Sequence, residues 1–365
     1  MSEKIIVVIG TRPEAIKLAP VIKALQKRKE FEVKVCFTGQ HRELALDILT
    51  FFEISPDINF DLMGKTDSLV ELSSELLKKF NQYFLTEKPQ IILVQGDTTT
   101  ALMAAVAAYY LQIKIGHVEA GLRTRNRFSP WPEEGNRTML STIADWHFAP
   151  TEQSAKNLIE ESVPADTIFI TGNTVIDALL DTVGRLPDIS HGESARKMIL
   201  ITNHRRENLG KRLDQIFTAI SELSRQHPDV DFVFPIHPNP VVQKQARSIL
   251  GDRHPNVQLI EPQEYPDFVT LMKDAYFILT DSGGIQEEAP ALGKPVLVTR
   301  DTTERPEGVT AGTARLVGVN KEDIIRHCND LLTNDDSYNL MSKAQNPYGD
   351  GTSAERIADI LGQKL

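Results

Sequence analysis

The chain has 365 residues, 41% of them hydrophobic and 25% charged, which excludes disordered, collagen-like and membrane-embedded classes. Forty Lys and Arg against fifty Asp and Glu leave a formal charge of −10, a poor footprint for nucleic acid or anionic lipid. The length suits two domains, each with a core of its own.

Lys4–Ile9 is a short apolar run stopped by Gly10, the pattern of a buried parallel strand. Ile5–Ile9 is too short for a signal-peptide core, and no later apolar stretch is long enough to cross a bilayer. Residues 11–14 read as a loop, and Ala15–Lys27 as a helix kinked or restarted at Pro20. Val33–Phe37 and Cys36 within it repeat the strand pattern before Gly39, as do Ile91–Val94 before Gly96 and Asp97. Three threonines, Thr98–Thr100, offer N-caps for a helix over Leu102–Leu111, and Ile113–Val118 is a strand ending at Glu119. The rhythm restarts after Asn173, with strands at Lys197–Thr202, Asp231–Ile236, Val257–Ile260, Tyr276–Thr280 and Pro295–Thr299. Helices are expected at Leu213–Arg225, Val241–Leu250, Ile285–Leu292 and Ser353–Leu361. Asp181–Glu193, rich in Pro, Gly and Asp, reads as inter-domain chain.

This alternation predicts an α/β protein of two doubly wound, Rossmann-like domains facing a cleft lined by strand C-terminal ends. The expected domains are residues 1–172 and 173–352, with segment 353–365 free to dock on either. Cys36 and Cys328 have no metal-ligand or disulfide spacing, so a reducing, cytoplasmic setting is expected.

Four clusters carry chemistry. The first is Gly10–Glu14 with Lys17, where Arg12 can grip a phosphate or carboxylate; it is neither a dinucleotide nor a Walker loop. The second is Asp281–Glu288, a strand–turn–helix joint. Ser282, Gly283 and Gly284 suit a diphosphate there, and Glu288 suits ribose hydroxyls. Gln263 and Phe268 stand on the same predicted edge, an amide and a ring for a nucleobase. The third cluster is acidic: Asp97 and Glu119 each follow a strand, and Glu133 lies in a Pro-flanked loop with Arg137. Such carboxylates, pushed apart in pKa, suit acid and base roles. Asp97 has an alternative reading as a helix cap, and Glu133 as a surface charge. The fourth is basic, His204, Arg205 and Arg206 joined by Arg300 and Arg305, fit to neutralise a departing diphosphate. With Arg12, Lys17 and Arg137 these make eight cationic or cationisable residues on predicted cleft loops, so the cleft should be basic inside an acidic chain.

Taken in order, GTRPEAIK, TGQHR, VQGDTTTA, GHVEAGLRT, SPWPEEGNR, TGNTVIDAL, HRREN, PIHPNP, LTDSGGIQEEAP and RDTTERPE resemble the bacterial non-hydrolysing UDP-N-acetylglucosamine 2-epimerases. The resemblance implies a glycosyltransferase-B-type fold with the C-terminal helix returning to the first domain. It also implies a homodimer that interconverts UDP-GlcNAc and UDP-ManNAc without a metal or redox cofactor, supplying sugar for surface polysaccharide. By matching motifs, Arg12, Lys17, Asp97, Glu119, Arg137, His204, Gln263, Phe268, Ser282, Gly283, Gly284, Glu288 and Arg305 would contact the substrate. Asp97, Glu119, Glu133 and His204 would be the catalytic group. Gln40 and His237 match motifs tied to UDP-GlcNAc acting as an allosteric activator. Asn203 is a departure, standing where the family commonly has Gly or Ala. A glycosyltransferase, a hydrolysing epimerase and a catalytically silent UDP-sugar sensor are the competing readings.

Overall fold

The computed structural model describes residues 2–39, 42–62, 68–187, 196–251 and 254–365. They form two compact units, Met1–Ala178 with Tyr348–Leu365, and Leu179–Pro347.

The first unit opens with β1 (Glu3–Ile9), α1 (Arg12–Gln26), β2 (Phe31–Phe37), α2 (Arg42–Phe51) and β3 (Ile58–Asn59). It continues with α3 (Leu69–Glu87), β4 (Ile91–Gln95), α4 (Thr99–Tyr110) and β5 (Lys114–Val118). Then come α5 (Glu133–Ile143), β6 (Trp146–Ala149), α6 (Glu152–Glu160), β7 (Ile168–Ile170) and α7 (Thr174–Arg185), of which Leu179–Arg185 count with the second unit. The seven strands pair in parallel in the order β3-β2-β1-β4-β5-β6-β7. The order reverses between β1 and β4, so the crevice for a ligand lies at the ends of those two strands. Ile5–Ile9 and Ile91–Val94 are fully buried, which is why their sequences are unbroken apolar runs rather than alternating ones.

The second unit repeats the scheme. Its elements are β8 (Met198–Thr202), α8 (Lys211–Gln226), β9 (Asp231–Pro235), α9 (Pro240–Leu250), β10 (Val257–Ile260) and α10 (Tyr265–Asp274). β11 (Phe277–Thr280), α11 (Gly283–Ala291), β12 (Val296–Val298), α12 (Pro306–Ala311) and β13 (Ala314–Leu316) follow, then α13 (Lys321–Thr333) and α14 (Asp335–Ser342). The parallel order β10-β9-β8-β11-β12-β13 reverses between β8 and β11. The core joins Phe217, Phe232, Phe234 and Phe277 with the aliphatic faces of α8, α9 and α13. Both cysteines are buried and free.

The last helix, α15 (Ser353–Lys364), packs on α1. Arg28, just past the end of α1, donates to Asp359 at 2.7 Å, and Asp177 accepts from the Ala354 N–H at 2.7 Å.

Several local expectations need correcting. Arg12 opens α1 rather than lying in a loop, because Thr11 and Glu14 form a reciprocal capping box and Pro13 fits the first turn. The helix runs unbroken through Pro20. Glu133 opens α5, with Pro132 as its N-cap, instead of sitting in a loop. Asp181–Arg185 continue α7, so the supposed inter-domain stretch begins as helix; residues 188–193 of it lie outside the described residues. No helix among the described residues is long and apolar enough to cross a membrane.

Candidate active site

In the first unit the switch point between β1 and β4 brings residues of distant sequence together. Gly10 follows β1, and a Cβ there would come within 2.5 Å of the Thr100 hydroxyl, so only glycine lets this strand end pass α4. Glu14, 1% exposed, ties two strand-end loops together. Its Oε2 accepts from the N–H groups of Gly10 and Thr11 at 3.0 and 2.6 Å, and Oε1 accepts from the Thr98 hydroxyl at 2.7 Å. Thr98, not Asp97, caps α4, its side chain accepting from Ala101 N–H. That removes the capping explanation for Asp97, whose carboxylate instead pairs with Arg137 one turn inside α5.

Glu119, buried just past β5, has a left-handed backbone with φ 61°. Gly121, at φ 88°, lets the following turn pass the Ser154 carbonyl, into which any Cβ would run. The Glu119 carboxylate meets donors on both oxygens. Oε1 accepts from Lys17 Nζ at 2.5 Å and Asn173 Nδ2 at 3.0 Å, and Oε2 accepts from the Gln95 amide. Arg137 also donates to the Glu119 carbonyl at 3.3 Å, so one guanidinium binds both acidic loops. Glu133 Oε2 is buried with no hydrogen-bond partner among the described residues. His117, on β5, donates from Nε2 to the Gly96 carbonyl at 2.8 Å; burial pushes its pKa down to about 3, so it stays neutral. Arg12 has no hydrogen-bond or ion-pair partner among the described residues.

In the second unit, His204 and Arg205 follow β8 and Asp281 follows β11, on the two sides of its switch point. Ser282 is the N-cap of α11 and makes no side-chain cap bond, and Gly283 and Gly284 open that helix. The Glu304 carboxylate lies against Gly283, where a Cβ would come within 3.0 Å of it. Arg205 and Arg300 both grip Glu304, the latter at 2.5 Å. Burial pushes Glu304 up, but Arg205 and then Arg300 outweigh it and hold the carboxyl down at about 2. Arg305, N-cap of α12, pairs with buried Glu287 on α11. Half-buried Glu288 is one turn along α11. Gln263, past β10, donates to the Glu261 carbonyl at 2.6 Å, and Phe268 is half-buried inside α10. His237, past β9, is exposed and stacks on His204 at 5.2 Å between ring centres. Asn203 turns inward, 1% exposed, and its Oδ1 accepts from the Thr299 hydroxyl at 2.7 Å. Gln40 lies outside the described residues, as does the side chain of Arg206.

The expectation that all eight cationic residues stand on loops is therefore corrected. Lys17 and Arg137 are on helices, and Lys17, Arg137, Arg205, Arg300 and Arg305 are each paired with a carboxylate. Sequence reasoning missed Gln95, Asn173 and Glu304, which touch these groups, and the linking role of Glu14. The S/T-x-x-E spacing of Thr11 and Glu14 was a usable signal for the last; the other three had none. Among the described residues, no group of three or more His, Cys, Asp or Glu is placed to hold a metal ion.

A family model described as UDP-N-acetylglucosamine 2-epimerase matches residues 23–362. The chain belongs to this family. It is 50% identical over 369 residues to the UDP-N-acetylglucosamine 2-epimerase of Escherichia coli (strain K12), covering 98% of each chain. The enzyme of the same name from Bacillus subtilis (strain 168) is also 50% identical, covering 98% of this chain and 94% of that one. The crystal structure of UDP-GlcNAc 2-epimerase from Neisseria meningitidis bound to UDP-GlcNAc superposes with a TM-score of 0.90 at 47% identity, covering 99% of this chain and 100% of that chain. As a member of the epimerase family the chain is an isomerase, and its two parallel Rossmann-like sheets are of the glycosyltransferase-B type.

Proposed function

We propose that this epimerase interconverts UDP-GlcNAc and UDP-ManNAc by eliminating UDP to a 2-acetamidoglucal and adding it back. The observation that carries the reading is the cluster at the β1/β4 switch point, where the Asp97–Arg137 pair and the Lys17–Glu119 pair share Arg137. The C2 hydrogen of the sugar has no neighbouring carbonyl, so direct removal to a free carbanion is too costly. Breaking the anomeric C–O bond first makes C1 electron-poor and C2–H far more acidic. Inversion then requires a base and an acid on opposite faces of C2, and Asp97, Glu119 and Glu133 form that set. Elimination also requires charge stabilisation of the leaving diphosphate. Arg12, Arg137, His204, Arg305 and the α11 N-terminus at Ser282–Gly284 supply it, while Gln263, Phe268 and Glu288 hold the nucleoside. The reading includes a cytoplasmic homodimer, UDP-GlcNAc as an activator acting through His237 and Gln40, and a product used for surface polysaccharide.

Incubation with UDP-GlcNAc alone in D₂O tests the proposal. UDP-ManNAc carrying deuterium at C2 is expected by NMR. Free ManNAc would make the chain a hydrolysing epimerase, and no reaction without an acceptor would favour a transferase or a sensor.

A diphosphate arriving at the α11 N-terminus competes with Glu304 for Arg205 and Arg300. Glu304→Gln is therefore expected to tighten UDP binding about 3- to 10-fold, since a neutral amide competes less for the two guanidiniums while Arg300 keeps its other partner, Glu207, at 2.8 Å. Isothermal titration calorimetry reads this directly, and weaker binding would instead give Glu304 a part in holding the site together.

A further inference from the structure

Asp281 is wholly buried, yet its carboxylate serves the loop after β8 rather than its own turn. Oδ2 accepts from Arg205 N–H at 2.9 Å, His204 N–H at 3.0 Å and Asn208 Nδ2 at 3.0 Å. Oδ1 lies 3.4 Å from His204 Nδ1. On its other side the imidazole stacks on His237, the planes 10° apart. His237 Nδ1 is itself taken, accepting from Asn239 N–H at 3.1 Å. Burying an ionised carboxylate is costly, and apolar replacements are often no less stable, so fold strength does not explain this residue. Three donors crowd Oδ2, and Oδ1, which takes only the longer 3.2 Å branch of the shared His204 N–H, is the oxygen turned to the ring.

We propose that Asp281 is a positioning residue for His204, holding the imidazole with its Nδ1–H toward Asp281 and its Nε2 presented to the departing diphosphate. The Nε2 role rests on the epimerase reading; the pairing itself does not. The neutral ring carries its proton on Nδ1. When the diphosphate arrives, Nε2 takes up a second proton from solvent and donates a hydrogen bond to a phosphate oxygen, with no covalent bond formed to the protein. Asp281 supports the charged ring against burial, His237 and Arg205, which all work the other way; Arg205 is in turn held by Glu304. A carboxylate so placed both fixes the tautomer and steadies the imidazolium.

Histidine ¹⁵N NMR on the full chain tests this. In the wild type, neutral His204 should show a protonated Nδ1 and an unprotonated Nε2, a result that depends on no variant folding. In Asp281→Asn the His204 titration should move down by about 1 to 3 pH units, as loss of a close opposite charge requires. Turnover in that variant should fall at least about tenfold with KM little changed, and combining it with His204→Ala should add nothing further. A wild-type Nε2–H tautomer, or an unmoved titration in a folded Asp281→Asn, overturns the proposal. If the pairing is seen but His204→Ala turns over normally, the pairing stands and the role given to Nε2 is overturned.

Discussion

Asp97→Asn and Glu119→Gln are each expected to lower kcat by about three orders of magnitude, within the range for losing a general acid or base, while UDP binding stays near wild type. Both changes keep the shape of the side chain. In Asp97→Asn the amide oxygen can still accept from Arg137, which keeps the Glu119 carbonyl, and Asn136 still donates to the residue-97 carbonyl at 3.0 Å, so the two loops remain joined. In Glu119→Gln, Lys17 can only donate, so the new amide must turn its oxygen toward Lys17 and Asn173 and its NH₂ toward Gln95. The Gln95 amide can rotate to accept, and the site survives without its acidic function. Steady-state kinetics with UDP-GlcNAc, beside calorimetric UDP titration and a melting curve, separate chemistry from binding and folding. Turnover within tenfold of wild type in both variants would remove these residues from the acid–base set.

The strand ends that frame this chemistry were legible because a parallel strand buried on both faces writes itself as an apolar run stopped by Gly or a charge, as Ile5–Ile9 and Ile91–Val94 do. Parallel order and the switch points then place Gly10, Asp97, His204 and Asp281 without any knowledge of side chains. What was not legible is who neutralises whom. Composition counts fifty acids but does not say that Glu304 sits between Arg205 and Arg300, or that Lys17 reaches Glu119, 102 residues away. Those pairings depend on which helix turns lie over which strand ends, a tertiary outcome. Asn173 is harder still, since it reaches Glu119 from the end of β7 while its own N–H is held by the Tyr348 carbonyl of the C-terminal segment. By contrast the start of α7 was readable: Ile176, Leu179, Leu180 and Val183 recur at helical spacing, and the Pro, Gly and Asp of the following residues obscured it.

The second large effect concerns pH and Glu14. Burial pushes its carboxyl from an ordinary 4.5 up to about 7, against the pull of Thr98, Thr11 and the N–H of Gly10. Because the folded value is the higher one, the folded chain binds the extra proton between those limits, and stability falls as pH rises through them. Its contribution is fully present below about pH 4.5 and gone above about 7, a loss of about 3 kcal/mol for this group. Glu14→Gln should remove that slope. Its carbonyl oxygen can still accept from Gly10 and Thr11, and its NH₂ can donate to the second lone pair of the Thr98 hydroxyl, whose first takes the Ala101 N–H. In urea denaturation from pH 4.5 to 8, the stability difference between wild type and Glu14→Gln should therefore shift by about 3 kcal/mol in favour of the variant. Glu14→Ala behaves differently, leaving the Gly10 and Thr11 N–H groups unmet at every pH and costing several kcal/mol throughout, at about 1–3 for each buried donor left unpaired. Because Glu14 joins the loop before Arg12 to the loop after Asp97, that variant should also lose turnover where the glutamine variant keeps it. A pH-independent difference between wild type and Glu14→Gln would mean that the carboxyl titrates alike in the folded and unfolded chains.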